Sequence, residues 1–368
     1  MHVPFLDLGA QYHSIQKEID EAIQAVIDST AFAGGPFVEK FERDFAHAHE
    51  GVQAIGVSSG TAALHIALWA LGIEPGDEVL LPTNTFIATA EAVSLCGATP
   101  VFVDNEEQYY GIDVERLQEA ITERTKAVVG VHLYGQPCDL QALIEVSQEQ
   151  RLLLIEDCAQ AHLAEYHGKK VGTFGVCGCF SFYPGKNLGA YGEAGAVITA
   201  DNDLAKTIRM LRDHGSSKKY HHRLPGHNYR MDGLQAAILK VKLSHLNDWN
   251  NRRREIAKKY QMALADTDGV ILPYERDGVH HVYHLFVVRV ERRNQLIHYL
   301  SDKGVGTGIH YPIPCHQQPA YEATYHRSQV LEVAESCKDQ LLSLPMFPEM
   351  RNEQVDYVCK TIREFYEG

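Results

Sequence analysis

Four short apolar runs set the tightest limit on how this chain folds: Val79-Leu-Leu81, Pro100-Val-Phe-Val103, Ala127-Val-Val-Gly-Val131 and Leu152-Leu-Leu-Ile155. They are continuous, not alternating, and rich in branched side chains, as suits strands buried on both faces of a parallel sheet. Helical patterns over 88–96, 114–122 and 140–149 lie between them. Strand and helix in alternation predict an α/β fold, a three-layer αβα large domain with a mostly parallel sheet.

The pattern changes beyond Asn228. Leu234, Ile238, Val241, Leu246, Trp249, Ile256 and Tyr260 recur at roughly helical spacing over a span long enough to bridge domains or cross a subunit interface. A strand over 284–290 follows, then helices over 294–303 and 354–366. At 368 residues the chain can build two cores. The predicted division lies near residue 240, with a large domain over 1–240 and a smaller C-terminal α/β domain over 241–368, entered by the long helix.

Composition excludes several classes of function. Hydrophobic residues make up 45% and charged residues 22%, ordinary for a globular protein. A formal net charge of −14 argues against general affinity for nucleic acid or an anionic membrane. No apolar run reaches the roughly 18 residues of a membrane span, and Met1-His-Val-Pro-Phe5 lacks the features of a signal peptide. The eight cysteines read as reduced thiols of a cytoplasmic protein, with Cys158 placed near the functional site. Neither Cys177 and Cys179 nor the pairs His221-His222 and His280-His281 find further ligands at telling spacing, so no metal is expected.

Two features carry chemistry. Lys186 lies in the turn-forming run Tyr183-Pro-Gly-Lys-Asn-Leu-Gly-Ala190, and Asp157 closes the apolar run that precedes it. A buried amine paired with a carboxylate at a strand end is what a pyridoxal phosphate enzyme needs. The amine forms a Schiff base with the cofactor aldehyde, and the carboxylate keeps the pyridine nitrogen protonated. Val57-Ser-Ser-Gly-Thr-Ala-Ala63 leads into Leu64, Ala67, Leu68 and Leu71 at amphipathic helical spacing. The free N–H groups at such a helix start can bind a phosphate, or Ser59 or Thr61 can simply cap it. It is not a P-loop.

The chain resembles the DegT/StrS family of sugar-nucleotide aminotransferases, within the fold-type I pyridoxal phosphate enzymes. The resemblance rests on Ser59-Gly-Thr-Ala-Ala-Leu64, Pro82-Thr-Asn-Thr-Phe86, Glu156-Asp-Cys-Ala-Gln160, Ser181-Phe-Tyr-Pro-Gly-Lys-Asn-Leu-Gly-Ala190, Gly192-Glu-Ala-Gly195, Asn228-Tyr-Arg-Met231 and His310-Tyr-Pro-Ile-Pro314. It implies pyridoxal 5'-phosphate as cofactor, with pyridoxamine 5'-phosphate as its intermediate form. Lys186 would be the Schiff-base lysine and proton carrier, and Asp157 the partner of the ring nitrogen. Gln160, one helical turn later, would reach the phenolic oxygen. Phe86 would stack on the ring, unless it serves as ordinary core packing. Gly60, Thr61 and Ser181 would hold the phosphate, and Asn228 would reach it from the partner subunit of a homodimer. Ala194 and Cys158 depart from the family's usual Gly and Ala, small residue for small.

Relatives that carry His in place of the lysine are dehydratases, so Lys186 implies transamination. Members that aminate C-4 typically have His where Tyr183 stands. The resemblance therefore points to the branch acting on C-3 of dTDP-3-keto-6-deoxyhexoses, with L-glutamate as donor and polysaccharide or glycoside biosynthesis as setting. Tyr183, His310 and Tyr311 would line the hexose pocket, or else support a turn. A C-4 keto or UDP-linked substrate, or a non-catalytic regulator of the same fold, are the alternatives. The basic run His214-Gly-Ser-Ser-Lys-Lys-Tyr-His-His-Arg223 either meets the nucleotide diphosphate through Lys218, Lys219 or Arg223 or is a solvated loop.

Overall fold

The computed structural model describes residues 1–322 and 331–368. Its central sheet has seven strands: β1 (Gln53–Val57), β2 (Glu78–Pro82), β3 (Thr99–Val103), β4 (Thr125–Val131), β5 (Leu153–Asp157), β6 (Cys177–Ser181) and β7 (Gly195–Thr199). They lie in the order β1-β7-β6-β5-β4-β2-β3. Pairings from β6 through β5, β4 and β2 to β3 are parallel, and β7 runs antiparallel to both its neighbours. The four apolar runs fall in β2 to β5. Every residue of β2 and β7 is buried, because helices cover both faces.

On one face, helices Gly60–Ala70, Ala88–Leu95 and Asn202–Leu211 pack through Ile66, Val93 and Ile208. On the other, helices Pro36–Ala48 and Leu140–Gln150 and the first part of helix Gly233–Leu264 pack through Phe41, Leu143 and Leu239. The helix Gly60–Ala70 is not amphipathic as its spacing suggests. Ala62 to Leu68 are all buried, His65 included, because the helix is wedged between the sheet and its two neighbours on that face.

The long helix of 32 residues carries the chain onward. Leu239 and Leu246 join the core of the large sheet, whereas Ile256, Tyr260 and Leu264 join a second core. That core lies between an antiparallel sheet of β8 (Val270–Ile271), β9 (Phe286–Val290) and β10 (Leu341–Leu344) and the helices Arg293–Asp302 and Asn352–Glu367. Val3 pairs with Val305 and is buried in this second core, so the N-terminal segment is anchored there. The strand expected over 284–290 starts at Phe286, which leaves His284 and Leu285 in a connecting segment. No helix of the described residues is long and apolar enough to cross a membrane.

Glu156, on β5, clasps the segment that leads to β6. Its carboxylate accepts the N–H groups of Gly172 (2.6 Å), Phe174 (2.8 Å) and Gly175 (2.8 Å) and pairs with His132 Nε2 at 3.1 Å. His132 Nδ1 in turn accepts the Cys138 N–H at 3.2 Å. With Cys158 these two form a buried group whose ligand atoms lie within 4.8 Å of one another. The carboxylate oxygens and ring nitrogens are already committed to protein hydrogen bonds, so the group works as a clasp. Glu156→Ala would strand several buried donors, each costing about 1–3 kcal/mol when unsatisfied. Urea unfolding should therefore show a loss of about 3 kcal/mol or more. A loss under about 1 kcal/mol would mean that water replaces the carboxylate.

Candidate active site

A cavity of about 590 Å³ opens beyond the carboxyl ends of the parallel strands, where α/β sheets commonly bind ligands. Val131 and His132 reach it from the end of β4, Asp157 from β5 and Ser181 from β6. Ser59, Gly60 and Thr61 reach it from the turn after β1. His284, Leu285, His310, Tyr311 and Met346 close it from the side of the small sheet.

Asp157 is the last residue of β5 and is buried. Thr89 Oγ1 donates to its Oδ2 at 2.8 Å, and the Ala159 N–H donates to its Oδ1 at 3.1 Å. Burial pushes the carboxyl above its usual range, and these two donors, with Lys186 and His132, pull it back. Lys186 sits in a tight turn closed by its own N–H to the Tyr183 carbonyl at 2.9 Å. Burial lowers its amine to about 8, against the pull of Asp157. The amine and the carboxyl thus line one cavity, each shifted toward its neutral form.

At the other end of the cavity, the Ser59 hydroxyl caps helix Gly60–Ala70 by accepting the Ala62 N–H at 3.0 Å. The cap leaves the N–H groups of Gly60 and Thr61 with no partner among the described residues, so capping does not preclude an anion there. A Cβ on Gly60 would stand 2.5 Å from Ser181 Cβ and 3.0 Å from its Oγ. Only glycine lets the helix start come this close to that hydroxyl.

Gln160 sits in a turn and not, as expected, on a helix. Its Nε2 donates to Tyr311 Oη at 3.0 Å, and its Oε1 accepts the Tyr134 N–H at 2.6 Å. Phe86 is 53% exposed, which removes the core-packing alternative; its ring lies 5.8 Å from that of Tyr311. Tyr183 is 56% exposed and lines the cavity. His310 bonds Ser343 Oγ through Nδ1 at 2.8 Å and stacks on Phe5 at 5.9 Å. Burial and the nearby Lys186 lower its ring to about 4.

Asn228 lies elsewhere. It is exposed, paired with Asp213, and does not line the cavity of its own chain. The run 214–223 forms a hairpin between Ser216–Lys218 and His221–His222, also away from this cavity. Cys158 packs behind β5 in the Glu156 clasp and does not line the cavity.

Sequence reasoning missed several lining residues. Thr89 was recoverable from its helical spacing after Thr85, whose hydroxyl lies 3.0 Å from its own. Phe5, Leu6 and Met346 carry no local signal, since they arrive through pairings with distant parts of the chain. His284 was hidden at the head of a strand pattern.

The model of the DegT/DnrJ/EryC1/StrS aminotransferase family matches residues 13–363. The chain belongs to this family. It is 46% identical over 365 residues to dTDP-3-amino-3,4,6-trideoxy-alpha-D-glucose transaminase of Streptomyces venezuelae, covering 99% of this chain and 96% of that protein. It is 43% identical over 368 residues to a pleiotropic regulatory protein of Geobacillus stearothermophilus, covering 100% and 99%. A crystal structure of Streptomyces venezuelae DesV in complex with a ketimine intermediate superposes with a TM-score of 0.97 at 46% identity, covering 100% of this chain and 99% of that one.

The protein is accordingly a pyridoxal phosphate-dependent sugar aminotransferase. The cavity fits that cofactor. A buried carboxyl pushed up by its surroundings suits a protonated ring nitrogen, a depressed amine suits an aldehyde, and the bare helix start beside Ser181 suits a phosphate. Capture of pyridoxal phosphate by the apoprotein should depend on neutral Lys186. Its rate should rise with pH through a midpoint near 8, as followed by visible absorbance. A midpoint above 10 would place Lys186 in an ordinary solvated setting.

Proposed function

We propose that this aminotransferase carries an amino group from L-glutamate to C-3 of a dTDP-linked 3-keto-6-deoxyhexose, working as a homodimer. The observation that carries this reading is the grouping of Tyr183, His310 and Tyr311 around the cavity that also holds Lys186 and Asp157. Aromatic faces suit the methyl group of a deoxy sugar, and their polar tips suit its hydroxyls. The name of the Streptomyces relative supports C-3 and dTDP.

The cofactor, when bound, supplies an aldehyde that stores the amino group between two half-reactions and a ring that accepts electrons. On this reading Asp157 keeps the ring nitrogen protonated and Gln160 meets the phenolic oxygen. Phe86 covers one ring face. The N–H groups of Gly60 and Thr61 and the Ser181 hydroxyl hold the phosphate. Lys186 Nζ would hold the aldehyde and would serve as the acid and base that moves the proton to and from the reacting carbon. The chain divides within the long helix into a large unit that carries the cofactor and a small unit that lines the cavity through His284, His310 and Tyr311.

Product analysis over a panel of 3-keto and 4-keto sugar nucleotides tests the substrate. The expected product is a 3-amino-6-deoxyhexose nucleotide, and Lys186→Ala protein should be folded and inactive. Efficient amination of 4-keto sugars alone would overturn the reading of Tyr183. A folded protein that binds cofactor yet turns over neither class would support the regulatory alternative.

Asn228, exposed in one chain, is assigned to the partner's phosphate. Co-expressed Asn228→Ala and Lys186→Ala subunits would then form heterodimers with one doubly defective site and one intact site. Such heterodimers should recover part of the activity that both parents lack. Verified heterodimers without recovery would place Asn228 in the site of its own chain, beside that chain's Lys186.

A further inference from the structure

We infer that His284 is an additional sugar-binding residue, which presents a bare Nε2 lone pair to the cavity and accepts a hydrogen bond from a hydroxyl of the hexose. Asn187 and Asn250 are its positioning residues. The inference deepens the sugar-nucleotide reading above and rests on it.

Two backbone carbonyls, which can only accept hydrogen bonds, orient the network behind the ring. Asn250 Nδ2 donates to the His162 carbonyl at 2.9 Å, so Asn250 Oδ1 faces the other way as an acceptor. Asn187 Nδ2 donates both to that Oδ1 at 2.9 Å and to the Val282 carbonyl at 3.0 Å. The Asn187 oxygen is left to face His284 Nδ1 at 3.2 Å. An amide oxygen accepts only, so Nδ1 must carry the ring's hydrogen. Both asparagines are 2% exposed, so the chain of bonds is shielded from competing water.

The other ring nitrogen is free for a ligand. His284 lines the cavity, and Nε2 has no partner among the described residues. Burial, with the charges of Lys186 and Arg253 and the rings of His310 and His162 nearby, holds the imidazole well below its usual range. It is therefore neutral near pH 7, with an in-plane lone pair on Nε2. The Arg253 guanidinium grips the carbonyls of His284 at 3.2 Å and Met346 at 2.9 Å, which fixes the backbone that carries the ring.

The chemistry of that atom selects between the two substrates that share the cavity. A neutral acceptor can take a hydrogen bond from any of several sugar hydroxyls, whereas an amino acid donor offers only the N–H groups of the reacting α-amine, since its carboxylates also only accept. His284 should therefore matter more to the sugar than to glutamate.

The test uses the holoenzyme and an unreactive ligand, a dTDP-6-deoxyhexose with a hydroxyl at C-3, whose Kd is measured by calorimetry. His284→Phe should weaken it roughly tenfold, and His284→Gln, which keeps an acceptor oxygen, should restore most of the loss. Asn250→Ala should weaken it less and add nothing to His284→Phe in the double variant, because both act through one bond. The glutamate half-reaction, followed by absorbance, should stay within about twofold of wild type in His284→Gln. Unchanged sugar affinity in folded His284→Phe, or equal losses for sugar and glutamate in both His284 variants, would overturn the assignment. A wild type that binds neither the dTDP sugar nor its UDP counterpart would instead refute the sugar-nucleotide reading itself.

Discussion

An amine and a carboxyl that must share one enclosed cavity are the constraint around which this molecule is built. Charges are costly to bury, and each group meets the cost by shifting toward neutrality: the Asp157 carboxyl rises, and the Lys186 amine falls to about 8. The parallel sheet supplies the place where this is tolerable. At the end of β5 the strand ladder stops, and Asp157 takes its hydrogen bonds from the Thr89 hydroxyl and the Ala159 N–H.

The lysine turn is held from behind by the long helix. Lys242, Asn250 and Arg253 lie eight and eleven residues apart from the first, a spacing that keeps them near one helical stripe. The Lys242 ammonium, fully buried, donates to the Gly189 carbonyl at 2.5 Å. Asn250 binds Asn187, and Arg253 binds the carbonyls of His284 and Met346. One rigid element therefore fixes both the loop that carries Lys186 and the segment that faces it from the small sheet. Burial lowers Lys242 to about 8, against the pull of the Glu349 carboxyl.

How much of this the sequence reveals depends on how local the cause is. The parallel strands were legible because burial on both faces demands unbroken apolar runs, and Asp157 and Lys186 because their neighbours are turn and strand residues in order. The helix Gly60–Ala70 departs from its amphipathic spacing because Ala62 to Leu68, with His65 the one polar residue among them, are buried by neighbouring helices and not exposed to water. Gln160 reads as helical by spacing but sits in a turn, since its side chain is bound to Tyr134 and Tyr311 from distant segments. Phe5 and Met346 could not be found at all. Their places at the cavity follow from the Val3–Val305 pairing and from the Met346 N–H to the Phe5 carbonyl, contacts that span nearly the whole chain.

On the proposed reaction the cavity must accept a dicarboxylic amino acid and a hydroxylated sugar in turn. Electrostatics can keep the two from interfering. His284 and His310 both face the cavity, and both are held neutral by burial and by Lys186, His310 down to about 4. Were either a cation near pH 7, it would attract the donor's carboxylates and hold them where the hexose must sit. Neutral rings remove that competition and leave hydrogen-bonding edges that suit hydroxyls. On the proposed reading Lys186 bears on specificity only while its amine is charged, as a cause second to burial in lowering both imidazoles.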